Sequence, residues 1–196
     1  LLLILIVAGG GCGFISATLS NLPDVSNVRP SASSQIYDVH GNLITTVHST
    51  ENRLPVPLKD VPKDLQNAFV ATEDSRFYSH HGIDPVGILR AVWVNLVHSG
   101  VSEGGSTITQ QLARNAFLSQ DRTFKRKISE ALLALKIEQH YTKDEILEMY
   151  MNQIYFGQGA YGVQSAAQVY FGKDASQLTL GSQSNLACYE IFTTAF

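Results

Sequence analysis

Two carboxylates stand out because each lies on a helical stripe that is otherwise apolar. Glu73 follows Leu65 and Phe69 at intervals of four residues, and Asp74 comes directly after it. An acid is poorly placed at the C-terminus of a helix, where the macrodipole is negative. If such a carboxylate is partly buried, its pKa should be raised and it should accept a proton. We therefore predict that Glu73 is a carboxylate able to take up a proton, rather than one of two solvated acids at a helix end.

The second carboxylate, Glu130, begins an inward stripe that continues through Leu133 and Ile137. Its pairing with Arg126, four residues earlier, has the less favourable order and contributes roughly 0.3 kcal/mol at a surface. That energy is too small to explain an acid entering a helix that is apolar nearly all round. A solvated basic turn would explain the neighbouring cations but not Glu130. The cations form a short run that could hold a diphosphate: Arg122, Lys125, Arg126 and Lys127.

A third group combines a glycine pair with a polar helix face. Gly104 and Gly105 open a helix, and free backbone N–H groups at a helix N-terminus suit a phosphate. No Gly-Lys-Ser/Thr follows, so this is not a Walker loop. Neutral hydrogen-bonding groups suit a sugar or an amide, although an ordinary polar surface helix is the alternative. One face of this helix is a continuous polar strip, in which the threonine and the glutamines are the neutral groups: Thr107, Gln110, Gln111 and Arg114. With the two acids and the basic run, this face indicates glycosyl chemistry with a phosphorylated leaving group.

The elements that must position these groups follow from composition and period. The chain has 196 residues, enough for one domain with a core and an extension. Residues 1–19 carry no charge and reach the length of a membrane span, which predicts an anchor truncated at its start; a removed signal peptide is the alternative. Residues 20–34 read as a linker, and residues 35–60 as a β-hairpin and an extended segment. From residue 61 to residue 196 the period is helical.

Capping signals divide this helical region. Asp84 followed by Pro85 predicts one helix start, Ser106 a second, and Thr142 with Glu145 a capping box for a third. Gly172 predicts a helix end. The apolar strip from residue 83 to 97 predicts a surface that dips into a bilayer, with ordinary core packing as the alternative.

Charge and cysteine content exclude several classes of function. The formal net charge is −3, which gives no general argument for nucleic acid. Two cysteines make neither a disulfide framework nor a metal cluster, and six scattered histidines give no zinc spacing.

Four segments of the chain resemble the bacterial peptidoglycan glycosyltransferases, the domain found in class A penicillin-binding proteins and monofunctional transglycosylases. In the order of that family they are "EDSRFYSHHG", "GGSTITQQLARN", "RKISEALLALKIE" and "KDEILEMYMNQIYFGQGAYGV". The resemblance implies a mainly α, lysozyme-like helical domain with a short N-terminal β-hairpin and a transmembrane anchor. It also implies a catalytic domain on the outer face of the cytoplasmic membrane, where lipid II is polymerised.

By this resemblance, Glu73 takes the proton from the acceptor's GlcNAc 4-hydroxyl. That hydroxyl attacks the anomeric carbon of the lipid-linked donor with inversion, and undecaprenyl diphosphate leaves. Glu130 is the second essential acid, with Arg126 and Lys127 facing the diphosphate. Asn152 and Gly157 match structural positions. The other implied substrate-binding residues are Asp74, Phe77, His80, Gly82, Gly105, Ser106, Thr107, Thr109, Gln110, Gln111, Arg114 and Asn115.

The resemblance further implies partners and a cofactor. Mg²⁺ or Mn²⁺ would bridge the substrate diphosphate, with ligands mostly from substrate. The partners would be lipid II, the nascent glycan strand, the cytoplasmic membrane and the cell-wall synthesis machinery. After "LTLGSQ", the residues "SNLACYEIFTTAF" depart from the family pattern, so we expect residues 61–196 to be a glycosyltransferase domain that is incomplete at its C-terminus, with its last helices missing or altered. A lysozyme-like muramidase or lytic transglycosylase, and a non-catalytic membrane-tethered wall-binding module, are the alternative functions.

Overall fold

A computed structural model describes residues 22–26, 34–40, 43–47, 52–97, 104–118 and 123–194. The predicted anchor, residues 1–19, and Arg122 of the basic run lie outside these ranges. Within them, each helix is either too short or too polar to cross a bilayer.

The described residues form seven α-helices and four short strands, which confirms the mainly helical fold class. The helices are α1 (Lys63–Glu73), α2 (Pro85–Val97), α3 (Ile108–Phe117), α4 (Phe124–His140), α5 (Lys143–Met151), α6 (Val163–Phe171) and α7 (Leu180–Thr194). The strands are β1 (Ser34–Tyr37), β2 (Leu43–Val47), β3 (Asn52–Arg53) and β4 (Ala160–Tyr161). β1 and β2 pair antiparallel, and β3 pairs parallel with β4.

The core forms where the helical stripes meet. α3 packs on α4 and α5, and α1 packs on α7. Leu65 and Phe69 of α1 are fully buried, as are Leu133 and Ile137 of α4, so both predicted inward stripes are confirmed. Leu135, however, is exposed. α4 is therefore buried along one side and not all round.

The helix ends follow the capping signals with one exception. The Thr142–Glu145 capping box is present, and Gly172 ends α6 in the left-handed conformation. The prediction that Ser106 caps the third helix is wrong, because the cap is Thr107. Its hydroxyl accepts a hydrogen bond from the Gln110 N–H while the Gln110 side chain accepts one from the Thr107 N–H. This reciprocal pair satisfies two backbone donors at once.

Two segments at the edges of the domain also pack against it. The residues that depart from the family pattern continue α7 as far as Thr194, and Leu186 and Ala187 of that helix are buried. Within the predicted linker, Val25 is fully buried and its carbonyl accepts a hydrogen bond from the Tyr141 hydroxyl at 2.8 Å. The Lys136 ammonium donates to the Pro23 carbonyl at 3.1 Å. Residues 22–26 are thereby attached to the C-terminal end of α4.

Candidate active site

Glu73 is the last residue of α1, and its side chain is half-buried. Its Oε2 accepts a hydrogen bond from Gln111 Nε2 of α3 at 2.8 Å. The opposite end of the same amide, Gln111 Oε1, accepts a longer bond of 3.4 Å from the Tyr150 hydroxyl of α5. Because Gln111 is held at both ends, its N–H is fixed on the carboxylate. A neutral donor orients Glu73 without neutralising its charge, which suits a group that must accept a proton.

Asp74 fastens the turn after Glu73 to the start of α3. His80 Nε2 lies 3.0 Å and 2.9 Å from the two carboxylate oxygens of Asp74. One of those oxygens also accepts a hydrogen bond from the Ile108 N–H at 3.1 Å. Both side chains are buried, and the arrangement requires the His80 hydrogen to be on Nε2. The Asp74 carboxylate thus has internal partners on both oxygens and positions its neighbour Glu73.

Gly82 joins the same turn to two helices. Its carbonyl accepts a hydrogen bond from the Thr107 hydroxyl at 2.6 Å. Its φ of +84° lies in the region that favours glycine, and a Cβ there would come 2.9 Å from the backbone carbonyl of Ala134 in α4. Only a glycine lets the turn approach α4 this closely.

Gly82→Ala should therefore destabilise the protein more than the same change at another left-handed glycine. Gly172 has a φ of +62° and open space around its Cβ position, so Gly172→Ala should cost about 1 kcal/mol, from backbone conformation alone. Gly82→Ala adds a collision with backbone and should cost about 3 kcal/mol. Urea denaturation measures both free energies of unfolding. Equal losses would show that the contact with α4 is not tight.

The second acid, Glu130, is only 1% exposed and lies between two cations. Lys127 Nζ is 3.0 Å from Glu130 Oε2 and donates to Ser106 Oγ at 2.6 Å. Arg126 Nε is 3.0 Å from Glu130 Oε1 in an ionic contact. The Lys127 side chain is 47% exposed. One anion between two cations leaves one net positive charge on a partly open surface, which favours an anionic ligand.

Several predicted binding residues have internal partners instead of an open face. Thr107, Gln110 and Gln111 are all buried, so the alternative of an ordinary surface helix is wrong for the first turns of α3. Thr109 Oγ1 donates to Glu138 Oε1 at 2.7 Å. The remaining predicted residues are placed as follows: Phe77 is fully buried, Gly105 lies against the backbone of Ile88, and Arg114 contacts the exposed Asn115. Direct contacts of these side chains with substrate stay predictions.

Both acids are linked to one short stretch of chain at the N-terminal end of α3, residues 106–111. Glu73 is bonded to Gln111, and Glu130 is linked through Lys127 to Ser106. These two anchor points are five residues apart in the chain: Ser106 directly precedes the cap of α3, and Gln111 lies in its first turn. A cavity of about 740 Å³, elsewhere on the described surface, involves different residues: Leu58, Lys59, Asp60, Val61, Pro62, Lys63, Gln66, Asp144 and Ser176.

The sequence did not predict the side chains that contact the site residues from other helices. The Tyr150 hydroxyl donates a hydrogen bond to Gln111, and Glu138 accepts one from Thr109. The Lys143 ammonium lies over the Phe77 ring. No local pattern marks them, because each contact joins residues far apart in the chain.

The described residues do not build a cation site. Among them, no three His, Cys, Asp or Glu side chains come together. Both oxygens of Glu130, the acid nearest the basic pair, already face Lys127 and Arg126. A Mg²⁺ or Mn²⁺ ion here would take most of its ligands from oxygens of the substrate.

Comparison with known proteins identifies the family to which the chain belongs. The family model described as transglycosylase matches residues 40–190. Penicillin-binding protein 1A of Escherichia coli is 53% identical over 187 residues, which are 94% of this chain and 22% of that protein. Penicillin-binding protein 1F of Bacillus subtilis is 49% identical over 80% of this chain and 22% of its own length. Penicillin-binding protein 1A of Aquifex aeolicus is 49% identical over 89% of this chain and 24% of its own length.

The chain spans less than a quarter of the length of these relatives. The family model, however, covers most of the chain and includes both acids and the helices that position them. The chain belongs to the transglycosylase family.

Proposed function

We propose that this chain is a peptidoglycan glycosyltransferase that polymerises lipid II into glycan strands by inverting transfer. The observation that supports it most directly is that two unlike sites are linked to one short stretch at the N-terminal end of α3, residues 106–111. One is a carboxylate oriented by a neutral donor, Glu73 with Gln111. The other is a pair of cations fixed by a buried acid, Glu130. A base and an anion site suit an acceptor hydroxyl and a diphosphate leaving group.

On the acceptor side, Glu73 takes the proton of the GlcNAc 4-hydroxyl as that oxygen attacks. Gln111 holds Oε2, so the carboxylate keeps one orientation during proton transfer. The new bond joins the acceptor oxygen to the anomeric carbon of the lipid-linked donor. The bond from that carbon to the diphosphate oxygen breaks, and its electron pair leaves with undecaprenyl diphosphate.

On the donor side, Lys127 and Arg126 face the diphosphate. Negative charge on the leaving oxygen grows as the bond breaks, and fixed cations stabilise that change. Glu130 holds these cations and is itself buried between them, so it organises charge and does not take part in proton transfer.

A lytic enzyme is the second candidate, because family membership alone fixes neither substrate nor direction. Such an enzyme acts on finished, soluble glycan and gains nothing from a fixed pair of cations. Incubating the chain with lipid II, and separately with finished glycan strands, distinguishes the two. We expect polymer from lipid II and no cleavage of finished glycan. Cleavage without polymerisation would refute the proposal.

The exposed face of α2 supports placing the site at a membrane. Ala91 is the only buried residue in this helix, so its large apolar side chains are not packed in the core that the described residues form. Large apolar side chains on α2 are more than half exposed: Val86, Leu89, Val92, Trp93, Leu96 and Val97. A contiguous apolar surface of this kind marks an interaction site. The lipid-linked substrate lies at the outer face of the cytoplasmic membrane, and we propose that α2 dips into that face.

Trp93 provides a direct measurement, because it is the single tryptophan of the chain. With the full chain in vesicles, lipids brominated near the headgroup should quench Trp93 fluorescence strongly. Iodide in the aqueous phase should quench it weakly, because a side chain that is 70% exposed in the free protein would then be covered by lipid. Strong quenching by iodide and none by brominated lipid would refute membrane contact of α2.

A further inference from the structure

A buried ion pair between Glu138 and Lys143 has no part in the proposed reaction. Lys143 Nζ is 2.7 Å from Glu138 Oε1, and the exposed fractions of the two side chains are 18% and 5%. Glu138 is near the end of α4, and Lys143 begins α5. Burying two charges costs desolvation energy that their attraction often only offsets, so such a pair is weak evidence for stability. The other contacts of Glu138 and Lys143 indicate the role of the pair.

The first contact fixes α3. The same oxygen, Glu138 Oε1, accepts a hydrogen bond from Thr109 Oγ1 at 2.7 Å, and Thr109 is fully buried. Thr109 precedes Gln111 by two residues, which is about 200° around a helix. Thr109 therefore holds the side of α3 that faces away from the Glu73–Gln111 hydrogen bond.

The second contact fixes the turn that follows Glu73. Lys143 Nζ lies 4.4 Å from the centre of the Phe77 ring, in a cation–π contact. The adjacent Tyr78 hydroxyl donates to Asp144 Oδ1 at 3.1 Å. Partial burial, and then the Asp144 carboxylate, raise the pKa of Tyr78 above an ordinary value at which the phenol is already a donor at neutral pH. The turn is thus tied to the first turn of α5 at two successive residues.

These contacts attach both partners of the Glu73–Gln111 hydrogen bond to one pair of charges. We infer that Glu138 and Lys143 are positioning residues for the proposed base. They hold the helix bearing Gln111 and the turn after Glu73 in one arrangement, and so set the hydrogen bond between those two side chains. The catalytic part of this inference rests on the proposed function, whereas the geometric part does not.

A double-mutant cycle on the full chain in detergent tests the catalytic part. Glu138→Gln keeps the shape and an acceptor for Thr109 but removes the charge. It should lower kcat about tenfold and change the KM for lipid II by less than about twofold, because a displaced base affects the chemical step. In a Gln111→Met background the same change should lower kcat by less than about twofold, since the contact it acts through is gone. A tenfold fall in both backgrounds, or none in either, would overturn the inference.

Four further variants complete the test, the last of them as a substitute for Glu138→Gln. Lys143→Arg preserves the charge and the ring contact and should retain at least about half of kcat, whereas Lys143→Met should lose about tenfold. Lys173→Met removes an exposed charge elsewhere and should leave kcat unchanged. If circular dichroism shows that Glu138→Gln does not fold, Thr109→Val, which removes one hydroxyl, takes its place in the cycle.

A measurement without turnover separates this inference from the proposed function. In protein labelled with ¹⁵N-glutamine, the side-chain amide of Gln111 reports its hydrogen bond to Glu73. Glu138→Gln should move that resonance towards the position of a free amide, and Lys173→Met should not. A moved resonance in a protein that never polymerises lipid II would uphold the positioning role and refute the proposed function. An unmoved resonance would refute the positioning role, whatever the activity.

Discussion

Glu73→Gln should lower the rate of lipid II polymerisation by about a thousandfold while the protein stays folded. General base catalysis contributes about 10²–10⁴ to a rate, and an amide cannot accept the proton of the acceptor hydroxyl. The side chain is half-buried and keeps its size, and the glutamine carbonyl can still accept the hydrogen bond from Gln111. The loss should therefore fall on kcat, with little change in thermal stability.

The matched control is Asp64→Asn, which removes the same charge from an exposed position in the first turn of α1. It should leave polymerisation within about twofold of the unmodified chain, since one exposed charge is largely screened. Polymer is quantified from labelled lipid II by gel electrophoresis. If Glu73→Gln polymerises at the rate of Asp64→Asn, then Glu73 is not the base, and the mechanism proposed for the acceptor side is wrong.

The sequence predicts the placement of the two acids well because the relevant signal is local. An apolar stripe with a period of 3.6 residues defines the inner face of a helix wherever that helix packs. Leu65 and Phe69 therefore indicate the inner face of α1 that ends at Glu73, and Leu133 and Ile137 indicate the burial of Glu130. The capping box at Thr142 and the helix end at Gly172 are local signals too.

The partners of the polar side chains are not local and could not be predicted. Thr109 looks like part of a binding strip until Glu138, 29 residues later, is seen to accept its hydrogen bond. Asp74 looks like a substrate-binding acid until the Ile108 N–H, 34 residues later, is seen to donate a hydrogen bond to one of its oxygens. Ser106 and Thr107 are both residue types that cap helices, and only their partners distinguish them. Ser106 accepts a hydrogen bond from Lys127, whereas Thr107 forms the capping box with Gln110. A hydrophobicity pattern likewise cannot say whether the apolar face of α2 meets protein or solvent.

Lys127→Met should lower kcat/KM for lipid II by about a hundredfold. A charge-assisted hydrogen bond contributes about 1.5–3 kcal/mol, and each 1.4 kcal/mol corresponds to about a tenfold change. Lys127 is held by Glu130 on one side and Ser106 on the other, so its ammonium has one position and needs no reorganisation during the reaction. Because negative charge on the diphosphate increases as its bond to the anomeric carbon breaks, kcat should fall more than KM rises.

Lys125→Met is the control that separates position from charge. Lys125 is exposed on the same helix, two residues earlier and so about 200° around its axis from Lys127. Its removal changes the net charge equally but should lower kcat/KM by no more than about threefold, because a solvated charge acts only through a screened field. The ratio of the two effects should stay large when salt is raised, since the fixed ammonium acts by contact. Equal losses of kcat/KM in the two variants, both vanishing at high salt, would mean that the basic run attracts the substrate only through its total charge. In that case Glu130 would have no cation to position at the leaving group.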